Sequence, residues 1–145
     1  MIDLGKIKIG GVNPPVIIVD LGINHSGSLE KAIYLSDLAI KNGAQIIKHQ
    51  THIAEEEMAL NAKKIIPGNA KSSIFSIIKK NSLSYKEEKK LMLYIKQKKA
   101  IFISTPFSKA ATDRLTEFKI PLFKIGSGEC NNYPLVEYIC KKKNL

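Results

Sequence analysis

The stretch Gln45-Ile-Ile-Lys-His-Gln-Thr-His-Ile53 is a short apolar run that turns polar at its C-terminal end. Three other stretches behave the same way. Val16-Ile-Ile-Val-Asp-Leu-Gly22 leads into Ile23-Asn-His-Ser-Gly27, Ala100-Ile-Phe-Ile103 into Ser-Thr-Pro-Phe-Ser108, and Pro121-Leu-Phe-Lys-Ile125 into Gly-Ser-Gly-Glu129. Each run has strand length, and amphipathic segments with helical spacing separate them. After the first run, Ser28 is placed to cap a helix whose stripe is Leu29, Ala32, Ile33, Leu35, Leu38 and Ala39, and Gly43 ends it. Ser84 opens a lysine-rich helix to about Lys99, Lys109–Glu117 follows the third run with Leu115 and Phe118 as packing residues, and a last helix is expected from Tyr133 to Lys143. Residues Glu55–Leu83 are a long excursion around Pro67-Gly-Asn69, and Lys6-Ile-Lys-Ile-Gly-Gly11 reads as one arm of a small hairpin.

Four strand–helix units in order predict an α/β fold with a parallel sheet. The polar strand ends are Asn24/His25, Lys48/Gln50, Ser104/Thr105 and Ser127/Glu129. In parallel α/β folds, ligands bind at those ends. The pattern fits the first half of a (β/α)8 TIM barrel, four βα units with the chain stopping before a fifth strand, or a small open doubly wound sheet. A complete barrel takes about 250 residues, so the 145 residues are expected to form one partial barrel domain over 1–145.

Composition narrows the function classes. The chain is 44% hydrophobic and 25% charged, enough apolar material for one core. No apolar run approaches the roughly 18 residues of a membrane span, and Met1–Gly11 lacks a signal-peptide core, so a cytoplasmic protein without membrane partners is expected. Two cysteines, Cys130 and Cys140, are too few for a disulfide framework. The net charge of +10 rests on 23 basic residues of which only Arg114 is arginine. Sequence-specific nucleic-acid readers depend on the bidentate guanidinium. The lysines are dispersed over helix faces and the aromatics form no stacking platform, so nucleic acid is not expected as a partner. A basic balance instead favours anionic small molecules.

Strand period puts Lys48, Gln50 and His52 on one face and His49 on the other. A lysine aimed into a sheet interior is costly unless an anion meets it, which makes Lys48 a phosphate or carboxylate ligand; the alternative is an edge lysine whose ammonium reaches solvent. His49 and His52 point apart, which disfavours a shared metal. Lys124 interrupts the fourth run in the same way and leads into Gly126-Ser127-Gly128-Glu129, where the glycines let backbone approach a ligand closely; the alternative is a plain turn. Lys48, Thr105, Lys124 and Ser127 together offer two cations and two hydroxyls from strand ends, a set suited to a phosphate ester.

These motifs, together with Ile66-Pro-Gly-Asn69 and Cys130-Asn-Asn-Tyr-Pro-Leu135, resemble the bacterial N-acetylneuraminate (sialic acid) synthase family in order, from about Val16 to Leu135. The resemblance implies a TIM barrel followed by an antifreeze-like C-terminal domain, a domain-swapped homodimer, and condensation of phosphoenolpyruvate with N-acetylmannosamine, with a divalent metal (Mn or Mg) and release of phosphate. It implies that Lys48, Thr105, Lys124 and Ser127 hold phosphoenolpyruvate, that Gln50 and Asn69 contact the amino sugar, and that Glu129 sits beside the reacting carbons. Legionaminate and pseudaminate synthases share the barrel and are the alternatives within the family.

Two departures stand out. Asp20 occupies the position where the family's first strand ends in Glu, a catalytic position one methylene shorter here; a shift of about an ångström can cost a hundredfold in rate. The family's metal-binding histidines belong to later strands, so no metal ligands are expected among these residues. A half barrel also presents an open edge and an unpacked inner face. It is expected to be inactive by itself and to self-associate, and a vestigial, non-catalytic anion-binding protein is the reading from outside the enzyme class.

Overall fold

The computed structural model describes residues 1–5 and 7–142. Strands β1 (Ile2–Asp3) and β2 (Lys8–Ile9) pair antiparallel, so the expected hairpin is present. Strands β3 (Ile18–Gly22), β4 (Ile46–Thr51) and β5 (Ile101–Pro106) form a parallel sheet in the order β3-β4-β5. Helix α1 (Leu29–Lys41) connects the first two; α4 (Tyr85–Gln97) leads into β5, and α5 (Lys109–Glu117) and α6 (Tyr133–Cys140) follow. The expected end of the last helix, Lys143, lies outside the described residues.

Local signals set these boundaries. The Ser28 hydroxyl accepts the Lys31 amide at 3.1 Å, and Ser108 does the same for Ala111 at 3.1 Å. Ser84 and Glu87 form a reciprocal capping box at the start of α4. The α1 stripe is only partly buried. Ala32 is fully covered, whereas Leu38 is 49% exposed, because Leu35 and Leu38 face an apolar groove of about 450 Å³ that opens beside Ile17 and Val19 on the free edge of β3. Leu115 and Phe118 are buried as expected.

The excursion carries more regular structure than its sequence suggests: α2 (Ala54–Glu57), a 3-10 turn at Leu60–Lys63 and α3 (Ile74–Asn81). The fourth run differs in the other direction. Residues Pro121–Ile125 form no strand; a single parallel bridge joins Phe123 to Ser104, and the Lys124 amide donates to the Ser104 carbonyl at 3.0 Å. Pro121 has no amide to give a ladder, and Gly126 opens a turn two residues after Lys124, so only a short piece can lie in register.

One face of the sheet packs on the helices. Leu21, Ile47 and Phe102 meet Ala32, Leu91, Ile95 and Leu115 in one apolar core. The period of two carries Asp20, Lys48, Ile103 and Thr105 to the opposite face. Polar groups also enter the helix side: Glu88, 1% exposed on α4, meets His49 Nδ1 at 3.1 Å and Arg114 Nη1 at 3.1 Å and accepts from the Thr51 hydroxyl.

Two glycines separate backbone strain from collision. Gly43 has φ +95° with open space around it, whereas Gly27 has φ +79° and a Cβ there would lie 2.3 Å from the Lys80 carbonyl oxygen. Gly43→Ala is therefore expected to cost about 1 kcal/mol and Gly27→Ala at least about 2 kcal/mol. Urea unfolding of both variants checks this; equal losses would contradict the packing of the Gly27 loop against α3.

Candidate functional site at the strand ends

The site is built where β3, β4 and β5 end. Asp20 pairs in register with Lys48, and Gln50 with Thr105. Lys48 is 8% exposed, and its ammonium meets the Asp20 carboxylate at 2.8 Å, whose side chain is 60% exposed. The sequence requirement that an anion meet this lysine is thus answered from inside the chain, by a group open to solvent. A bulge follows at once: the register slips between Asp20 and Gly22, which pairs with His49. Gly22 has φ +52°, and a Cβ there would meet Asp20 Oδ1 at 3.3 Å and Gln50 Oε1 at 3.7 Å, so these two side chains converge over it.

The second part of the site lies around Gly126. A Cβ at that position would sit 3.4 Å from Thr105 Cγ2, 3.3 Å from Phe107 Cε1 and 3.6 Å from Glu129 Cγ. A side chain there would crowd its neighbours, and the Thr105 and Glu129 side chains both come close to this residue. The Thr105 hydroxyl oxygen is buried and has no hydrogen-bond partner among the described residues, an uncommon condition that calls for an explanation. Ser127–Glu129 form a 3-10 turn, with Ser127 exposed at its start. Glu129 accepts from Asn132 Nδ2 at 2.7 Å and lines a polar cavity of about 370 Å³ with Glu57, Ser108 and Lys109. The larger apolar groove beside β3 touches the strand ends only through Asp20 and Asn24 at its rim, and its lining suits packing rather than chemistry.

Of the residues singled out by sequence, Asp20, Lys48, Gln50 and Thr105 share one face of the sheet, and Glu129 and Thr105 both lie beside Gly126. Lys124 is half-buried beside β5. Asn69 lies in an exposed turn closed by the Ala70 amide on the Pro67 carbonyl at 2.9 Å, and no hydrogen bond among the described residues ties it to the strand ends. His52 does not continue the β4 alternation. It lies past the strand end, where Nδ1 meets Glu57 Oε1 at 2.8 Å and the ring stacks on Phe107.

Metal ligation fits these residues poorly. No group of three His, Cys, Asp or Glu side chains is gathered for an ion among the described residues. His25 and His49 face each other, Nε2 to Nε2, at 3.2 Å, and His52 is held by Glu57. Glu88, Arg114 and the buried role of His25 are absent from the sequence reading. A signal for Glu88 does exist: with Leu91, Met92 and Ile95 it completes the i, i+3, i+4, i+7 stripe that α4 buries.

Comparison with known proteins agrees with this architecture. N,N'-diacetyllegionaminic acid synthase of Campylobacter jejuni is 35% identical over 131 residues, covering 87% of this chain and 39% of its own length. Human N-acetylneuraminate-9-phosphate synthase is 31% identical over 139 residues, covering 92% of this chain and 38% of its own. The crystal structure of N-acetylneuraminic acid (sialic acid) synthetase from Leptospira borgpetersenii, in complex with citrate, superposes with a TM-score of 0.84 at 31% identity, over 97% of this chain and 46% of that one. The chain thus spans about two-fifths of the length of these curated relatives. Among the described residues no helix is long and apolar enough to cross a membrane. The family model described as "NeuB family" matches residues 35–145, and with the parallel sheet and its polar strand ends this chain belongs to the NeuB family of sialic-acid-type synthases.

Proposed function

We propose that this chain forms the phosphoenolpyruvate-binding part of an N-acetylneuraminate synthase, the first four units of its barrel, with phosphoenolpyruvate and N-acetylmannosamine as substrates. The observation that carries the reading is the Lys48 ammonium, nearly buried at a strand end and balanced among the described residues by the exposed Asp20, on the same face as the Thr105 hydroxyl, which has no partner among them. A ligand with carboxylate and phosphate groups answers both: it shares or takes Lys48 from Asp20 and accepts the Thr105 O–H. Lys124 and Ser127 complete the cradle from the next segment.

In this reading Gln50 and Asn69 contact the amino sugar, and Glu129 orients it beside the reacting carbons. C3 of phosphoenolpyruvate forms the new bond to the sugar's aldehyde carbon, water adds to C2, and the tetrahedral intermediate breaks its C2–O bond to phosphate. The two lysines stabilise the anionic groups throughout. The residues described bind and orient; the divalent metal implied by the family resemblance has no ligand set among them. A second reading is an anion-binding chain without turnover, carried by the same Lys48 and Thr105. Legionaminate and pseudaminate synthesis are the alternatives for the sugar.

The test is phosphate release from phosphoenolpyruvate and N-acetylmannosamine by the protein as its own cell makes it. Release that depends on both substrates is expected, and Lys48→Met or Lys124→Met should each lower kcat/KM roughly ten- to a hundredfold, the loss of a charge-assisted contact. Phosphoenolpyruvate binding without release would favour the second reading, and unchanged kinetics in both variants would place the anion site elsewhere. Asp20→Asn separates the two roles of that carboxylate. Freed from its internal partner, Lys48 should bind orthophosphate about tenfold more tightly in calorimetry while turnover falls. Weaker phosphate binding would show that Asp20 does not compete for Lys48.

A further inference from the structure

Behind the strand ends, a chain of hydrogen bonds runs from α4 to the β3–α1 loop. The Gly27 amide donates to His25 Nδ1 at 3.1 Å, His25 Nε2 faces His49 Nε2 at 3.2 Å, and His49 Nδ1 faces Glu88 Oε1 at 3.1 Å. A backbone amide can only donate, so His25 carries its proton on Nε2. Two facing ring nitrogens share one proton, so His49 Nε2 accepts and the His49 proton sits on Nδ1, aimed at Glu88. Glu88 is ionised: burial opposes its charge, but hydrogen bonds from His49, Thr51 and Arg114 hold its carboxyl below the usual range. Reversing the chain would set a His25 N–H against the Gly27 N–H. One proton arrangement satisfies every member.

We infer that Glu88 is a positioning residue which, through the fixed tautomers of His49 and His25, latches the loop Ile23–Gly27 in place at the ligand-binding ends of the strands. The loop is wound tightly around its plug. The Asn24 amide reaches the Leu21 carbonyl at 3.1 Å, the Ser28 amide reaches the His25 carbonyl at 3.0 Å, and His25 itself is fully buried. The loop begins at the Gly22 bulge, where Asp20 and Gln50 converge. Its effect on ligand binding rests on the proposed anion site; the tautomers do not.

The latch has no place for another proton. A doubly protonated ring at either position sets N–H against N–H, so acid opens it. The titratable and charged groups around His25 are His49 on β4, Glu88 and Glu87 on α4, and Lys31 on α1; burial above all lowers its pKa from 6.5 to about 4. The folded value lies below the unfolded one, so the unfolded chain takes up a proton that the folded chain refuses. The latch's contribution is complete above pH 6.5 and is lost as pH falls toward 4.

The test is a long-range proton–nitrogen spectrum of protein labelled with nitrogen-15 in its three histidines, followed from pH 7.5 downward. Expected are His25 protonated at Nε2, His49 at Nδ1, and no titration of His25 until well below 6.5. Glu88→Gln, which keeps the size but removes the charge, should raise exchange at the Gly27 amide about tenfold and weaken orthophosphate binding. His25 protonated at Nδ1, or titrating at its ordinary value, would overturn the inference even if Glu88→Gln does not fold. Correct tautomers in a protein that binds no orthophosphate would support the latch and count against the anion-site reading alone.

Discussion

Glu88 is a charge in a place where charge is costly. A carboxylate taken out of water onto the buried stripe of α4 loses several kcal/mol of solvation unless the protein replaces it. The replacement comes from three directions: Arg114 on α5, and His49 and Thr51 on β4, with Ser104 on β5 bonded to Thr51 in turn at 2.7 Å. The apolar core brings α4 and α5 against the sheet, but apolar contact is tolerant of small slips. The Glu88 carboxylate is not, because a slip leaves donors buried without acceptors. It therefore sets the register between helices and strands that burial alone would leave loose, and the positions of the strand ends follow from that register.

Strand β4 turns this constraint into a site. Buried on both faces, it has neighbours on both edges, and successive residues answer to different demands. His49 faces Glu88 and Lys48 faces Asp20, although their Cα atoms are adjacent. Fixing the first orients the second. The side-chain period of two would carry a one-residue slip of β4 to every residue, moving Lys48 into the helix layer and Ile47 out of the core. Stability and ligand geometry are thus enforced by the same strand.

The parts of this arrangement that are legible in the sequence are those written in local chemistry. Ser28 and Ser84 announce helix starts, the three well-paired runs announce strands, and the lysine that interrupts the second run, Lys48, marks the face of the sheet that carries Asp20. The fourth run misleads because its apolar content is strand-like while Pro121 and Gly126 leave too little backbone to pair. The excursion hides α3, whose apolar residues are only partly covered and whose signal is diluted by lysines. The His25–His49–Glu88 chain spans residues far apart in sequence, and a histidine shows nothing of its partner until the fold supplies it. The resemblance gathers Asn69 with the sugar site, a role that its exposed turn, closed by the Ala70 amide on the Pro67 carbonyl, does not itself announce.

The shorter acid at position 20 is best understood through the strand that bears it. Asp20 meets Lys48 of the next strand directly at 2.8 Å. A bulge lies directly behind it, where Gly22 holds the backbone at φ +52° and the Asp20 and Gln50 side chains converge. The charge stays beside Lys48 and open to solvent, where the proposed function would have an anionic ligand enter. An acid that both neutralises the resting site and stays exposed to solvent is well placed to give way to such a ligand.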